Sequence, residues 1–345
     1  MLSTNAYASA HEHAATIDRA DRGRLVVSGA DRASYLQGLV TNDVAILKAG
    51  EGCYAAYLTP QGRMIADLFV YELGDVMLIT VPREQKDAVL AKLDQFIFGE
   101  DVQLGDVTGS LFVIAVVGPD ASGIVGRIVG CPANEIDALA QHGNRRAVFA
   151  GGAAIVTRVT DTGAAGYDVY VEESHAGALQ RALADAGVVA ADLETAEAMR
   201  IEAGVPKFNR DMDDQTIPLE AGIEPRAISL TKGCYVGQEV IIRVLHRGHG
   251  RVARKLVGLA FDDAVLPAPG DGVTVGSREV GHITSSAMSP ALSRPVALAY
   301  LHRDFLAPGT VVSVGGHTAV VTALPFVHQP SRSPGSTSGT SSVNQ

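Results

Sequence analysis

The run Lys232-Gly233-Cys234-Tyr235-Val236-Gly237-Gln238-Glu239 holds the residue types best suited to chemistry in this chain. Glycines flank the cysteine, and glycine admits backbone conformations closed to other residues and lets a ligand approach closely. The thiolate attacks electrophiles or binds metal, and Lys232, with His246 or Arg247 as further candidates, would favour that form of Cys234. The plainer alternative is a small half-buried cysteine in a turn that leads into a strand at Val240-Ile241-Ile242.

Carboxylates form the second candidate group. Asp211, Asp213, Asp214 and Glu220 fall close together in the segment that ends at Gly222. Pro218 and the missing loop glycine exclude an EF-hand. Two readings stay open, a polar pocket that accepts hydrogen bonds from a heteroaromatic ring and a solvated acidic loop that caps helices. Asp67 stands alone in an apolar strand, where it faces either solvent or a pocket; in a pocket it can hold or deprotonate a ligand nitrogen. Asp161-Thr162-Gly163-Ala164-Ala165-Gly166-Tyr167 lacks the spacing of a nucleotide-binding loop and reads as a hairpin loop. From Arg226 to Lys255, seven Lys or Arg residues (Arg226, Lys232, Arg243, Arg247, Arg251, Arg254, Lys255) face the single acid Glu239, with His246 and His249 among them. Such a run suits an anionic ligand tail or a protein partner, or is neutralised by the acidic segment upstream. Neither His246 with His249 nor His11-Glu12-His13 has metal-site spacing, so no metal site is expected.

These residues need a scaffold, and the chain's 345 residues are enough for two or three domains. A net charge of −10 argues against general nucleic-acid binding, which needs a basic surface. Cys53, Cys131 and Cys234 are widely separated and odd in number, which fits a reducing cytosol better than a disulfide framework. The first residues lack the pattern of a signal peptide, and no run of ~18 apolar residues predicts a membrane span. Strands are predicted at Arg24–Gly29, Tyr54–Leu58, Met64–Glu72, Val76–Val81, Leu111–Val117, Ala147–Phe149, Ala154–Val159 and Tyr167–Val171. Helices are predicted at Arg32–Gln37, Glu84–Phe98, Ala176–Ala186 and Leu193–Ala203. This is α+β with mixed or antiparallel sheets. After about Arg251 short strands and Pro-Gly turns predict a small closed β domain, and the Ser-, Gly- and Thr-rich end beyond Pro330 a disordered tail.

Taken together, these motifs make the chain resemble the YgfZ family, whose hallmark is Lys-Gly-Cys-Tyr-x-Gly-Gln-Glu; Lys232 to Glu239 matches it throughout. That family is a branch of the folate-binding superfamily of the glycine-cleavage T-protein. Leu36-Gln37-Gly38, Thr41-Asn42-Asp43-Val44, Arg200–Gly204, Asp211–Gly222 and Gly281–Ser285 resemble further superfamily segments. The resemblance implies a cloverleaf of domains around a central tetrahydrofolate channel, with a small C-terminal β-barrel. The implied division is an N-terminal extension at 1–18, a folate-binding region of two interleaved α+β lobes at 19–250, the barrel at 251–328 and the tail at 329–345. Glu202 would read the donor-rich pterin edge, with Asp67, Lys232 and Tyr235 as further folate contacts, and Cys234 would serve at the channel mouth as nucleophile, transient cluster ligand or redox contact.

Two departures stand out. The T-protein's Asp-Asp pair is Ala66-Asp67 here, and its Tyr-Thr-Gly-Glu-x-Gly loop lacks the Tyr and the Glu at Asp161 to Gly166. These departures argue against aminomethyl transfer; the family resemblance implies instead a cytoplasmic accessory protein for assembly or repair of iron–sulfur proteins, including tRNA-modifying radical enzymes, with iron–sulfur clients as partners, no stable nucleic-acid or membrane contact, and turnover left open. The alternative is a folate-dependent one-carbon transferase, an aminomethyltransferase or demethylase, with Asp67 positioning or deprotonating the folate amine.

Overall fold

The computed structural model describes residues 3–159, 161–246 and 250–327. Arg247 and His249 of the basic run, and the expected tail at 329–345, lie outside the described residues.

Three β structures carry the chain. A five-stranded sheet runs in the order Gly52–Leu58, Met64–Glu72, Val76–Pro82, Arg22–Ser28, Gln103–Asp106. Its first hairpin turns at Thr59–Gly62, where the Thr59 carbonyl accepts the Gly62 amide at 2.9 Å. A six-stranded sheet runs Val189–Ala190, Ala15–Asp18, Leu111–Val117, Gly166–Glu172, Gly152–Val159, Asn144–Phe149. The strands Arg254–Phe261, Arg294–His302, Arg278–Ser289, Gly272–Val275, Val311–Val314 and His317–Thr322 close into a barrel, which removes exposed sheet edges. The fold is thus mixed α+β with a closed C-terminal barrel, as expected from the sequence.

Each sheet buries its own alternating apolar face. Leu25, Val27, Leu68, Val70 and Ile79 of the first pack with Leu36, Val89 and Leu93 from the helices Arg32–Gln37 and Lys86–Asp94. Val116, Val156, Val169 and Val171 of the second pack with Ile124, Val125, Leu179 and Leu183 from the helices Ala121–Ile128 and Ala176–Asp185. Toward one another the sheets present a smaller cluster of Tyr71, Leu78, Val113 and Tyr170, and beside it they leave a gap.

Three local expectations change. Val240–Ile242 is helical, part of Gln238–His246, because Ile241, Val244 and Leu245 recur at helical spacing and turn one face onto a core with Tyr54, Phe208 and Tyr235. Residues Glu84–Phe98 begin as a 3₁₀ turn at Arg83–Gln85, and the α-helix spans only Lys86–Asp94. Ahead of Arg19, the helix Thr4–Glu12 and the strand Ala15–Asp18 are ordered, and the strand pairs on both sides within the six-stranded sheet.

The helix Leu193–Glu202 joins the parts. Its N-cap Asp192 accepts the Thr195 amide at 2.7 Å. Buried Arg200 donates to Asp211 at 2.7 Å, to Glu197 at 2.8 Å, to the Val205 carbonyl at 2.6 Å and to Ser285 of the barrel at 3.0 Å. Asp211 also accepts the Lys207 amide and the Thr284 hydroxyl. Removing one partner of a buried ion pair strands the other charge, so Arg200→Ala should lower stability by about 3–5 kcal/mol in urea unfolding, and Arg200→Met/Asp211→Leu should recover part of that loss. Arg200→Ala unfolding at the wild-type midpoint would show that the pair does not join the helix to the barrel.

Candidate functional site

Between the two sheets, the helix Leu193–Glu202 and the segment Val205–Arg210 lies a cavity of about 640 Å³, within the ~300–1,000 Å³ range of small-molecule sites. One wall comes from the five-stranded sheet. Tyr54 pairs in register with Phe69 and Ala56 with Asp67, so Tyr54, Phe69 and Asp67 point to the same side. Asp67 is buried, and the Tyr54 hydroxyl donates to its Oδ2 at 3.1 Å. Arg22 approaches Oδ1 at only 3.5 Å, donates more firmly to the Thr80 carbonyl at 2.9 Å, and lies over the Phe69 ring at 5.0 Å. Burial and then the Asp67 charge hold the Tyr54 phenol well above its ordinary value, which keeps it a donor.

The opposite wall is a closed ion network. Arg19 donates to both Asp161 oxygens at 2.7 and 2.8 Å and to Asp168 at 2.9 Å. Burial tends to raise the Asp161 carboxyl, but Arg19 outweighs it and the group sits below its usual value. At Asp168 burial wins, and the carboxyl is raised despite Arg19. On the helix, Glu197 faces the cavity with Arg200 at 2.8 Å and Lys207 at 3.6 Å. Burial pushes its carboxyl up, but those cations leave it below the carboxylate range.

His142 and Arg226 complete the lining. The His142 ring is 9% exposed and stands 5.3 Å from Phe69 and 6.4 Å from Tyr54, centroid to centroid. Burial first, then the nearby Arg226 charge, push its imidazole down to about 4. Arg226 is exposed, lies over the Tyr54 ring at 5.3 Å and has no carboxylate partner among the described residues.

Of the proposed catalytic and folate-contacting residues Asp67, Glu202, Lys232, Cys234 and Tyr235, Asp67 alone lines this cavity; Arg226 of the basic run and Asp161 and Thr162 of the glycine loop line it as well. Glu202 lies off it, where its carboxylate accepts Tyr7 at 2.6 Å, Ser289 and the Ala291 amide at 3.3 Å; it ties the first helix to the barrel. Tyr235 is buried in the core under the helix Gln238–His246. Lys232 is also buried, and its ammonium donates to the carbonyls of Gln37, Val40 and Asn42 at 2.6, 2.7 and 2.8 Å. Its charge is therefore committed to main-chain oxygens and not to Cys234. Burial lowers it to about 8. Gly237 has φ +84 and sits against the hairpin turn, where a Cβ would fall 2.6 Å from the Thr59 carbonyl. The lysine and this glycine of the motif thus serve to clamp the segment onto the first hairpin, while Cys234 is exposed and outside the cavity lining.

The acidic loop is likewise structural: Asp211 pairs with Arg200, Asp213 accepts Thr216 at 2.8 Å and Glu220 meets Arg254 at 3.3 Å. Sequence reasoning missed Arg19, Arg22, Tyr54, His142, Asp168 and Glu197. Register with Asp67 was a usable signal for Tyr54; nothing local marks His142.

Two sheets flanking a polar cavity, with a barrel docked on a central helix, define a T-protein-like architecture. Residues 3–232 match the GCVT N-terminal domain family and 254–328 the glycine cleavage T-protein C-terminal barrel domain. Aminomethyltransferase of Nostoc sp. is 31% identical over 337 residues, 94% of this chain and 87% of that protein. The Rubrobacter xylanophilus aminomethyltransferase is 32% identical over 288 residues, 84% of this chain and 76% of that protein. The crystal structure of glycine cleavage system aminomethyltransferase T from Bartonella henselae superposes with a TM-score of 0.85 at 23% identity, covering 94% of this chain and 89% of that one, a likeness of fold. The chain belongs to the glycine-cleavage T-protein family. Members of this family use tetrahydrofolate, the cofactor that the resemblance implied. The relatives' names overturn the expected accessory role in iron–sulfur assembly and favour the alternative, a folate-dependent transferase; membership of the YgfZ branch does not emerge from these matches. Among the described residues no helix is long and apolar enough to cross a membrane.

Two expectations follow from this geometry. Lys232→Met strands three carbonyls and should cost about 2–4 kcal/mol in urea unfolding, whereas Cys234→Ala should stay within about 0.5 kcal/mol of wild type; the reverse order would contradict the clamp. His142 is held at about 4 in the folded chain against an ordinary 6.5, so the unfolded chain takes up this proton first. Its contribution is intact above about pH 6.5 and is lost as pH falls toward 4, up to about 3 kcal/mol. His142→Phe should flatten that part of the stability–pH curve; equal slopes for variant and wild type between pH 7 and 4.5 would contradict it.

Proposed function

We propose that this chain is a tetrahydrofolate-dependent aminomethyltransferase. The observation that carries this reading is Asp67, a buried carboxylate on the wall of the cavity between the sheets, held by the Tyr54 hydroxyl and only loosely faced by Arg22. Aminomethyltransferases of about 30% identity, aligned over most of the chain, support it. The cavity fits a bicyclic carrier: about 640 Å³, with the aromatic faces of Tyr54 and Phe69 on one wall and a buried imidazole whose Nδ1 has no partner among the described residues.

Tetrahydrofolate supplies the two nitrogens that receive the carbon of an S-aminomethyl donor as a methylene bridge, while the donor's amine leaves as ammonia and its sulfur as a thiol, the two folate N–H protons passing to these leaving groups. Asp67 orients the folate amine and accepts its proton, and Tyr54, kept protonated, fixes the carboxylate. Tyr54 and Phe69 offer flat faces to the ring, and Arg226 lends positive charge at the rim. The Lys232–Glu239 motif supports a place in the YgfZ branch of the superfamily, with a structural part for its lysine. A cytosolic location belongs to the same proposal, supported by three unpaired cysteines.

The test is turnover of an S-aminomethyl thioether with tetrahydrofolate, followed as ammonia and 5,10-methylenetetrahydrofolate. Asp67→Asn should lower the rate by at least about 10²-fold, and Cys234→Ala should leave it unchanged. Wild-type protein that turns over no aminomethyl donor would sink the assignment.

A further inference from the structure

We propose that His142 is a ligand-reading residue of the cavity, whose unpartnered ring nitrogen makes a hydrogen bond to the polar edge of the bound one-carbon carrier. This rests on the folate reading above and adds to it a residue and a mode of recognition.

The argument starts from what the other polar groups are doing. Asp161 and Asp168, the carboxylates on the six-stranded side, are engaged by the single guanidinium of Arg19. Glu197 is held by Arg200 and Lys207, and Glu202 lies off the cavity. Apart from Asp67 on the facing wall, the carboxylates named here are already supplied with donors. His142 differs: its Nδ1 is buried and has no hydrogen-bond partner among the described residues, while Nε2 lies 3.5 Å from the Gln141 amide nitrogen. A buried polar atom without a partner carries a desolvation penalty that a ligand atom can relieve.

The position is built and not incidental. His142 has φ +61, a left-handed conformation unfavourable for a residue with a side chain, and such outliers persist only where surrounding contacts enforce them. Those contacts are present. The Asn144 amide donates to the Gly50 carbonyl at 2.8 Å, and its side chain donates to the carbonyls of Glu51 at 2.8 Å and Glu72 at 3.2 Å. The His142 carbonyl comes so close to Gly52 that a Cβ there would stand 2.4 Å away. A loop of the six-stranded sheet is thereby locked onto the five-stranded one, with its imidazole beside Tyr54 and Phe69, the aromatic residues flanking Asp67 in the strand pair.

The charged groups that act on the ring are Arg226 and Asp161, and burial with Arg226 keeps it neutral. A neutral imidazole offers one donor and one acceptor, so in either tautomer Nδ1 gives one hydrogen bond without adding charge.

Calorimetric titration of the full chain with 5-formyltetrahydrofolate tests this. Wild-type protein should bind; absence of wild-type binding would count against the folate reading itself. His142→Phe, which keeps an aromatic ring and removes the nitrogen, should bind about tenfold more weakly, and His142→Ala about as weakly as His142→Phe. His142→Gln, which restores a polar atom, should recover part of the affinity and is the variant to use if His142→Phe does not fold. A His142→Phe protein that binds as wild type while His142→Ala does not would reduce His142 to a packing role and overturn the inference.

Discussion

The ion pair between Arg200 and Asp211 holds the molecule together at the point where its parts meet. Every N–H of the Arg200 side chain that points inward finds an oxygen: one from its own helix, one from the chain just beyond it, one from the acidic loop and one from the barrel. A buried cation is stable only when so fully satisfied, and that requirement couples elements far apart in the sequence. Because Glu197 lies one turn earlier on the same helix, the residue that seals the junction also sets the angle at which a carboxylate faces the cavity.

The cavity is organised by a second economy of charge. Arginines on either side of the short turn between two strands divide the work: Arg19 neutralises the acids of the six-stranded sheet, while Arg22 is spent on a carbonyl and an aromatic face and leaves Asp67 largely to Tyr54. The result is one loosely countered carboxylate among several tightly countered ones, an asymmetry that suits a single proton acceptor.

Much of the fold was legible because periodicity is local. The hairpin at Tyr54–Leu58 and Met64–Glu72 and the barrel strands read directly from alternation and turn residues. Val240–Ile242 misled because three β-branched residues in a row carry a strand signature, and only the spacing out to Leu245 reveals the helix. The site was less legible. Asp67 was visible as a charge in an apolar strand, but His142 and Arg19 become meaningful only when two sheets meet. The motif around Cys234 drew attention by its composition, yet the structure places its lysine under three carbonyls and its Gly237 against a turn, functions that leave no chemical signature. Glu202 was expected at the ligand because carboxylates read pterins; one turn along the helix redirects it to Tyr7 and Ser289.

The clasp of Arg19 on Asp161 and Asp168 also bears on inhibitor chemistry. A planar ligand edge shaped like an amidine would seek a carboxylate that can accept two parallel hydrogen bonds. In this wall that seat is already taken by a guanidinium of the same shape, built into the chain and buried with its partners. To bind Asp161 or Asp168, a compound of that type would have to evict Arg19 and leave its charge without a counterion, whereas one presenting a neutral edge to the aromatic side would not.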